Sequence, residues 1–508
     1  MKKDKYKKNN KSQGTPVNKK GAKINKTQIK SNNKLLEKNK SHSTKKEKIN
    51  KDYKDTKENK KKINITVSDK ENKQSNIKLV KKEYKTDCVV IGGGASGMMA
   101  SIVAARAGVA VTVLEHTKRL GNKLLQTGNG KCNFTNLDMS KDKFLNNDKD
   151  FVWQVINKFD VEAVLSFFEE IGIYHKSKNG YIYPHSETAA SLQEALRLAL
   201  DKEKVTVHEA FEIANIEYNN DCYTIKGTKK VENNDGEVYQ DYIIKAKSVI
   251  IATGSCASPK TGSDGSGYEL AKMLGHTVKT PLPALVQLIS DNPFCKTMSG
   301  VRSTGNVKLI VDGNIISQDT GEIQYTDYGI SGIPVFQVSR YAVESVYNKK
   351  EVNVIIDMLP DFEYDKLCEM VLKSVESAKN KTVEQFFAGL LNKKLVIAVA
   401  KTIGLNSDDK ICTLKDKDIK NMLNNFKKFN IHITGYKDYA NAQVCQGGVP
   451  LDEIEVSTMQ SKLSNHLYFA GEITDVDGMC GGYNLQWAWS SGYLAGKSAA
   501  ESIFNNRK

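Results

Sequence analysis

Four apolar residues, Cys88 to Ile91, run into Gly92-Gly-Gly-Ala-Ser-Gly97 and a helix-length stretch of small residues; a second apolar run, Val111 to Leu114, then stops at Glu115. Short apolar runs bounded by turn residues are the pattern of strands buried on both faces, so this segment predicts strand, glycine turn, helix and strand. Trp153, Val155, Ile156, Phe159, Val164, Leu165 and Phe168 recur at helical spacing up to Gly172, and Ala189 to Leu200 does so again. Period-two alternation at Val205–Val207, Glu212–Tyr218, Tyr223–Ile225 and Tyr242–Lys245 predicts strands, with a polar hairpin around Asn233–Gly236. Ser248 to Gly254 reads as a buried strand ending in Ala-Thr-Gly, followed by a glycine-rich loop, Pro259–Gly267, and a short helix, Tyr268–Leu274.

From Pro281 the pattern becomes short strands and turns (Ala284–Ile289, Val307–Val311, Ile315–Ile316, Glu322–Thr326, Val352–Ile356), with Gly329–Pro334 read as a loop that looks back at the bound ligand. Helical sequence runs from Tyr364 to about Phe426 around a buried stripe at Val396–Ala400, and strand pattern returns at Ile431–Thr434. Leu467 to Glu472 is again a buried strand, and Asp475 to Gly496 passes from a glycine turn into a small-residue helix. The order predicts an α/β fold: a Rossmann-like domain in two segments, 83–280 and 451–508, interrupted by a β-barrel-like domain, 281–360 and 429–450, which carries a helical insert, 361–428.

Charge changes the picture only at the N-terminus. Residues 1–80 hold 26 Lys, no Arg and eight acids, a net of +18, so a chain of +16 leaves about −2 for the rest. A Lys- and Asn-rich segment with few apolar residues cannot offset its ordering entropy, and residues 1–82 are expected to be a disordered tail. Such a tail is either a polybasic arm for RNA or an anionic surface, or a solvated appendage. The nine cysteines are scattered without a C-x-x-C pair, which fits a reducing cytoplasm and gives no metal-ligand spacing. No apolar run approaches a membrane span, so a cytoplasmic protein is expected.

Candidate chemistry lies on the turns between these elements. Gly92, Gly93, Gly94, Ala95, Ser96 and Gly97 form a phosphate-binding turn: Gly92 for the reversal, Gly94 for approach to a pyrophosphate, Gly97 for close packing. Glu115 stands where a carboxylate accepts from a ribose diol. The polar loop after it supplies Lys123, Gly128, Asn129, Gly130, Lys131, Cys132 and Asn133; Cys132 is either a redox thiol or a packing residue. Ala252, Thr253 and Gly254 bring a second turn to the same sheet edge. Tyr181, Tyr183 and His185 are either substrate-facing or packing groups. The C-terminal return decides the cofactor. FAD lies along the sheet and needs a carboxylate and a helix N-terminus beyond the reach of a single nucleotide cradle; Gly471, Glu472, Asp477, Gly481, Gly482, Asn484, Leu485 and Gln486 offer them.

On these residues the chain resembles the HI0933-like, or BaiN-like, FAD-dependent oxidoreductases of bacteria. The resemblance runs from Asp87 to Ala499. It is carried by Gly92–Gly97, Gly121–Asn136, Ala252–Gly275, Glu322–Pro334, Gly447–Val449 with Thr458–Ser461, and Leu467–Gly496, above all Asn484-Leu-Gln-Trp-Ala-Trp489. It implies a two-part FAD domain interrupted by a β domain, and either reduction of unsaturated acceptors, including bile-acid intermediates, or amine oxidation. Lys131 stands where Arg is the family pattern, Cys445 where Thr is, and Tyr181 and Tyr183 where Arg and Phe are. The expected reaction passes hydride from NAD(P)H through the flavin to an unsaturated small molecule, with Lys131, Asn133, Tyr183 and His185 as candidate catalytic residues. An oxygen-dependent amine oxidase and a flavin-dependent RNA-modifying or RNA-binding protein tethered by its basic tail are the competing expectations.

Overall fold

The computed structural model describes residues 81–146, 148–233 and 236–505. The expected disordered tail lies outside the described residues as far as Val80. Strand β1 (Lys82–Ile91) begins inside the last two residues assigned to that tail and is longer than its apolar run, because its first half pairs at the exposed edge of the molecule. Helix α1 (Ala95–Arg106) and strand β2 (Val111–Leu114) follow as the glycine pattern requires, with β2 parallel to β1 in the register Cys88↔Val111 to Ile91↔Leu114. Gly92 makes the reversal at φ +99°, a conformation L side chains rarely adopt.

One sheet organises the Rossmann body. From one edge it runs Thr206–His208, β2, β1, Gly236–Ile251, Cys222–Asn233 and Phe211–Asn219, and Leu467–Phe469 joins as a further parallel strand beside Val249–Ile251. The alternating runs around Tyr242–Lys245 and Ser248–Ile251 are one 16-residue strand, not two. It is long because its first part serves the antiparallel hairpin and its last part the parallel core. The single helical stretch expected at 151–172 is two helices, Lys149–Ile156 and Val161–Glu170, each started by an aspartate side chain, Asp148 or Asp160, accepting from the first-turn amides.

The inserted strands close into a barrel in the order Leu288–Ser290, Gly329–Gly332, Asn314–Thr326, Arg302–Val311, Val352–Asp357, Phe429–Tyr436. Helices Tyr364–Val375, Val383–Phe387, Lys393–Thr402 and Asp416–Lys427 occupy the stretch read as helical, and Val396 and Ala398–Ala400 are fully buried there. Gly329–Pro334 is not a loop. It is a barrel strand that passes directly into a 15-residue helix, Ile333–Tyr347. Pro334 in the first turn and buried Val335, Val338 and Ala342 are the signal for that helix, masked by the strand-like run before it.

The C-terminal helix, Tyr483–Asn505, lies against α1 with backbone nearly touching backbone. A Cβ at Gly492 would sit 2.5 Å from the carbonyl oxygen of Ser96, and one at Gly496 2.3 Å from that of Ala100. Gly496→Val is therefore expected to cost about 2–3 kcal/mol by forcing the two helices apart. Urea unfolding at equilibrium measures it, and an exposed control such as Lys497→Ala should move the midpoint little.

Candidate functional site

The helix pair brings two helix N-termini to the carboxyl edge of the sheet, and between them opens a cleft of about 1260 Å³. At one end, Glu115 follows β2 and is nearly buried; its Oε2 accepts from the Gly93 N–H and its Oε1 from the Thr117 N–H, both at 2.8 Å. Two amides thus fix a carboxylate that also lines the cleft, as a ribose-binding group needs to be fixed. Next come Gly92, Gly94, Ala95 and Ser96. Gly97 packs inside, where a Cβ would lie 1.9 Å from the Gly92 carbonyl oxygen, whereas a Cβ on Gly94 would meet no protein atom within 4 Å. The space beside Gly94 is the cleft, and no side chain among the described residues caps the first turn of α1. An uncapped helix N-terminus with open room before it is a cradle for phosphate.

In the middle of the cleft Lys123 donates to Glu472 at 2.6 Å, and Ser255 Oγ donates to the same carboxylate at 3.2 Å. Thr253 also lines this part, with its hydroxyl buried against Gly267. Beyond it the turn Gly481–Gly482 and the first residues of the C-terminal helix, Asn484, Leu485 and Ala488, line the cleft.

The far end has two unlike walls. One is a small sheet of Thr135–Asn136, Tyr181–Pro184 and His175–Lys178. Tyr181 and Tyr183 are two apart on its central strand and face the cleft together, while Ile182 between them is fully buried. Burial raises both phenols above their ordinary values, with Cys480 adding to the shift and the Lys131 ammonium opposing it at Tyr183. Lys131 lines the mouth, its Nζ 2.9 Å from Glu187, which Lys176 also engages at 2.5 Å; the two ammonium groups hold the Glu187 carboxyl down to about 2. Asn133 lines the same wall and accepts from the Ile182 N–H at 3.1 Å. The other belongs to the inserted domain, where apolar Leu285, Ile333, Phe336 and Val444 stand with polar Asn441 and Gln443.

The structure thus gathers Gly92, Gly94–Ser96, Glu115, Lys123, Gly128, Asn129, Lys131, Asn133, Tyr183, Ala252–Gly254, Glu472, Gly481, Gly482, Asn484 and Leu485 around one cleft. It keeps others away. His185 follows Pro184, an exposed residue off the cleft, so a role for it as an acid there is corrected. Cys132 is fully buried and its thiol is pushed up to about 12 by burial, which makes it a packing residue and not a redox thiol. Gly130 turns the loop behind the lining, and the Gly93 and Gly471 amides are spent on Glu115 and Ser491. Gln486 is wholly buried, accepting from Thr135 and donating to the Phe159 carbonyl and Ser490; it fastens the helix and does not face the cleft. Asp477 is likewise turned inward, where Arg340 Nε donates to both of its oxygens at 3.0 and 2.8 Å. Of the two C-terminal acids, Glu472 is the one that lines the cleft. Gln337, Arg340 and Phe336 escaped the sequence reading because their helix did, whereas Ile333 belongs to the segment Gly329–Pro334 that the sequence pointed out.

A family model described as HI0933-like protein Rossmann domain matches residues 86–498. A 3-dehydro-bile acid delta(4,6)-reductase of Clostridium scindens is 38% identical over 415 residues, covering 81% of this chain and 98% of that protein. Ribosomal RNA dihydrouridine synthases of Haemophilus influenzae and Escherichia coli are 29% and 26% identical, covering 81% and 80% of this chain and 97% and 96% of theirs. Among the described residues no helix is long and apolar enough to cross a membrane.

Burial pushes the Asp477 carboxyl up to about 6 in spite of Arg340, above its unfolded value near 3.8. The native state therefore binds the extra proton, and this group's contribution to stability should rise as the pH falls from about 7 towards 4. Denaturant midpoints across that window should lose this component of their slope in Asp477→Asn.

Proposed function

The chain belongs to the HI0933-like family and is an FAD-dependent oxidoreductase, and from that premise we propose that it reduces a carbon–carbon double bond conjugated to a carbonyl, using NAD(P)H as donor. The observation that carries the reading is that apolar residues of the inserted domain line the same cleft as two phenols and an ammonium group. A flat unsaturated molecule fits such a cleft with its apolar body on Leu285, Ile333, Phe336 and Val444 and its carbonyl towards Tyr181, Tyr183 and Lys131. The substrates named for the relatives share that chemistry: a 3-oxo-4,6-diene and a uracil ring each place a double bond in conjugation with a carbonyl.

FAD held in the cleft would supply the two-electron hydride chemistry that links an NAD(P)H donor to the β-carbon of the acceptor. The protein's part is to hold the cofactor and deliver the proton. Gly94–Ser96 and Gly481–Gly482 offer the amides, Glu115 the ribose contact, and Lys123 with Glu472 a fixed polar pair beside the middle of the cofactor. Tyr183, raised by burial, keeps its proton at neutral pH and can donate it to the α-carbon or to the carbonyl oxygen. The nearby Lys131 ammonium favours the phenolate that this transfer leaves, and Glu187 holds Lys131 in place.

A second reading makes the acceptor a uridine in ribosomal RNA. The two dihydrouridine synthases favour it, and the 26 lysines of residues 1–80 would supply affinity for phosphate. The deciding experiment is anaerobic reduction of the FAD-loaded protein by NADH or NADPH, followed by addition of either a 3-oxo-4,6-diene steroid acid or unmodified ribosomal RNA. The expected result is one donor oxidised per double bond lost. Tyr183→Phe should lower the rate about 100-fold without loss of flavin. If RNA is the acceptor, deleting residues 1–80 should raise its KM and flatten the salt dependence. Peroxide formed from an amine in air, with no oxidation of NAD(P)H, would replace this reading with an amine oxidase.

A further inference from the structure

We infer that Gln337 is a positioning residue for the helix N-terminus that faces the flavin. The inference rests on the FAD reading above and adds to it a residue of the inserted domain that does not line the cleft. Gln337 lies on the helix Ile333–Tyr347 and is 9% exposed. Its Oε1 accepts from the Cys480 N–H at 2.9 Å and its Nε2 donates to the Cys480 carbonyl at 3.3 Å, so one side chain holds both backbone polar groups of a single residue. Cys480 immediately precedes Gly481 and Gly482, which turn the chain into the C-terminal helix and line the cleft.

The same face of the helix makes a second attachment in register. Arg340, three residues after Gln337, meets Asp477, three residues before Cys480. Side chains three apart on a helix share a face, so the segment 477–480 is held by two successive turns of one helix. The Rossmann body holds the same loop through further bonds: the Leu145 N–H donates to the Asp477 carbonyl at 2.9 Å, the Met479 N–H to the Lys143 carbonyl at 2.8 Å and Asn136 Nδ2 to the Gly481 carbonyl at 2.8 Å, while Asn484 Oδ1 accepts from the Gly478 N–H at 2.8 Å and its Nδ2 donates to the Gly478 and Met479 carbonyls. Gln337 is thus the inserted domain's contact with the residue next to the turn that aims the helix N-terminus, and Arg340 holds the loop three residues earlier. The field of a helix end falls off within its first turn, so its effect on a bound anion depends on how that turn is held. Reduced flavin bears that negative charge, and loosening the grip should weaken the reduced form more than the oxidised.

The test compares the midpoint potential of the bound flavin in the wild-type holoenzyme, Gln337→Met and Gln337→Asn, by anaerobic equilibration with a reference dye, alongside flavin affinity and Tm. In both variants the preference for reduced over oxidised flavin should fall about tenfold, a midpoint about 30 mV more negative for a two-electron couple. Oxidised flavin should stay bound. Should Gln337→Met not fold, Gln337→Asn decides, since its shorter side chain cannot reach both groups of Cys480. A wild-type midpoint in a folded variant, with or without a lowered Tm, overturns the inference and leaves Gln337 a packing residue. A wild-type protein that takes up no flavin overturns the cofactor reading instead, before any variant is made.

Discussion

The site depends on the contact between α1 and the C-terminal helix. Each helix supplies one N-terminus to the cleft, and the two ends converge because the helices approach to backbone distance along Ser96, Ala100, Gly492 and Gly496. Small residues there are a requirement of geometry, since any Cβ at the two glycines would meet a carbonyl oxygen. The strand Leu467–Phe469, inserted beside Val249–Ile251, sets the level at which the C-terminal helix begins. Ser96 Oγ donating to the Ala470 carbonyl at 3.2 Å joins the two halves at the cleft floor. Cofactor binding in this protein is therefore a property of tertiary packing as much as of any local motif.

The inserted domain has its own core, in which the barrel strands and the helical segment share one apolar cluster. Its tie to the cleft runs through the helix Ile333–Tyr347. The apolar residues at the start of that helix face the cleft, its polar residues hold the loop 477–480, and Ser339 Oγ accepts from the Val286 N–H at 3.2 Å. One element thus lines the space proposed for the substrate and steadies the chain beside the cofactor.

Much of the Rossmann body was legible in the sequence because its signals are local. An apolar run, a glycine turn and a carboxylate at fixed spacing each have one structural meaning, and Gly92, Gly94, Gly97 and Glu115 stand where that meaning puts them. What failed depended on orientation. Asp477 and Glu472 look alike as acids near a glycine turn, and only the fold shows that one meets Arg340 and the other Lys123 and Ser255. Gln486 belongs to a highly specific run yet points inward, because a helix packed on several sides turns some polar residues to the interior. The helix Ile333–Tyr347 was hidden because its first residues continue a strand, and with it went Phe336 at the cleft and the Gln337 and Arg340 contacts to the loop 477–480.

The strand Leu467–Phe469 and the helix after it lie more than two hundred residues beyond the strand they complete. A ribosome making this chain releases the whole inserted domain before it releases the last wall of the cleft. The early half of the Rossmann sheet waits through that interval with an edge at Val249–Ile251 unpaired and the small-residue face of α1 uncovered. Closing such distant contacts is slow and leaves apolar surface open to misassociation. The cleft is consequently complete only once the chain beyond Leu467 has been made, and a nascent chain stalled before that point lacks the strand and the helix that finish the nucleotide fold.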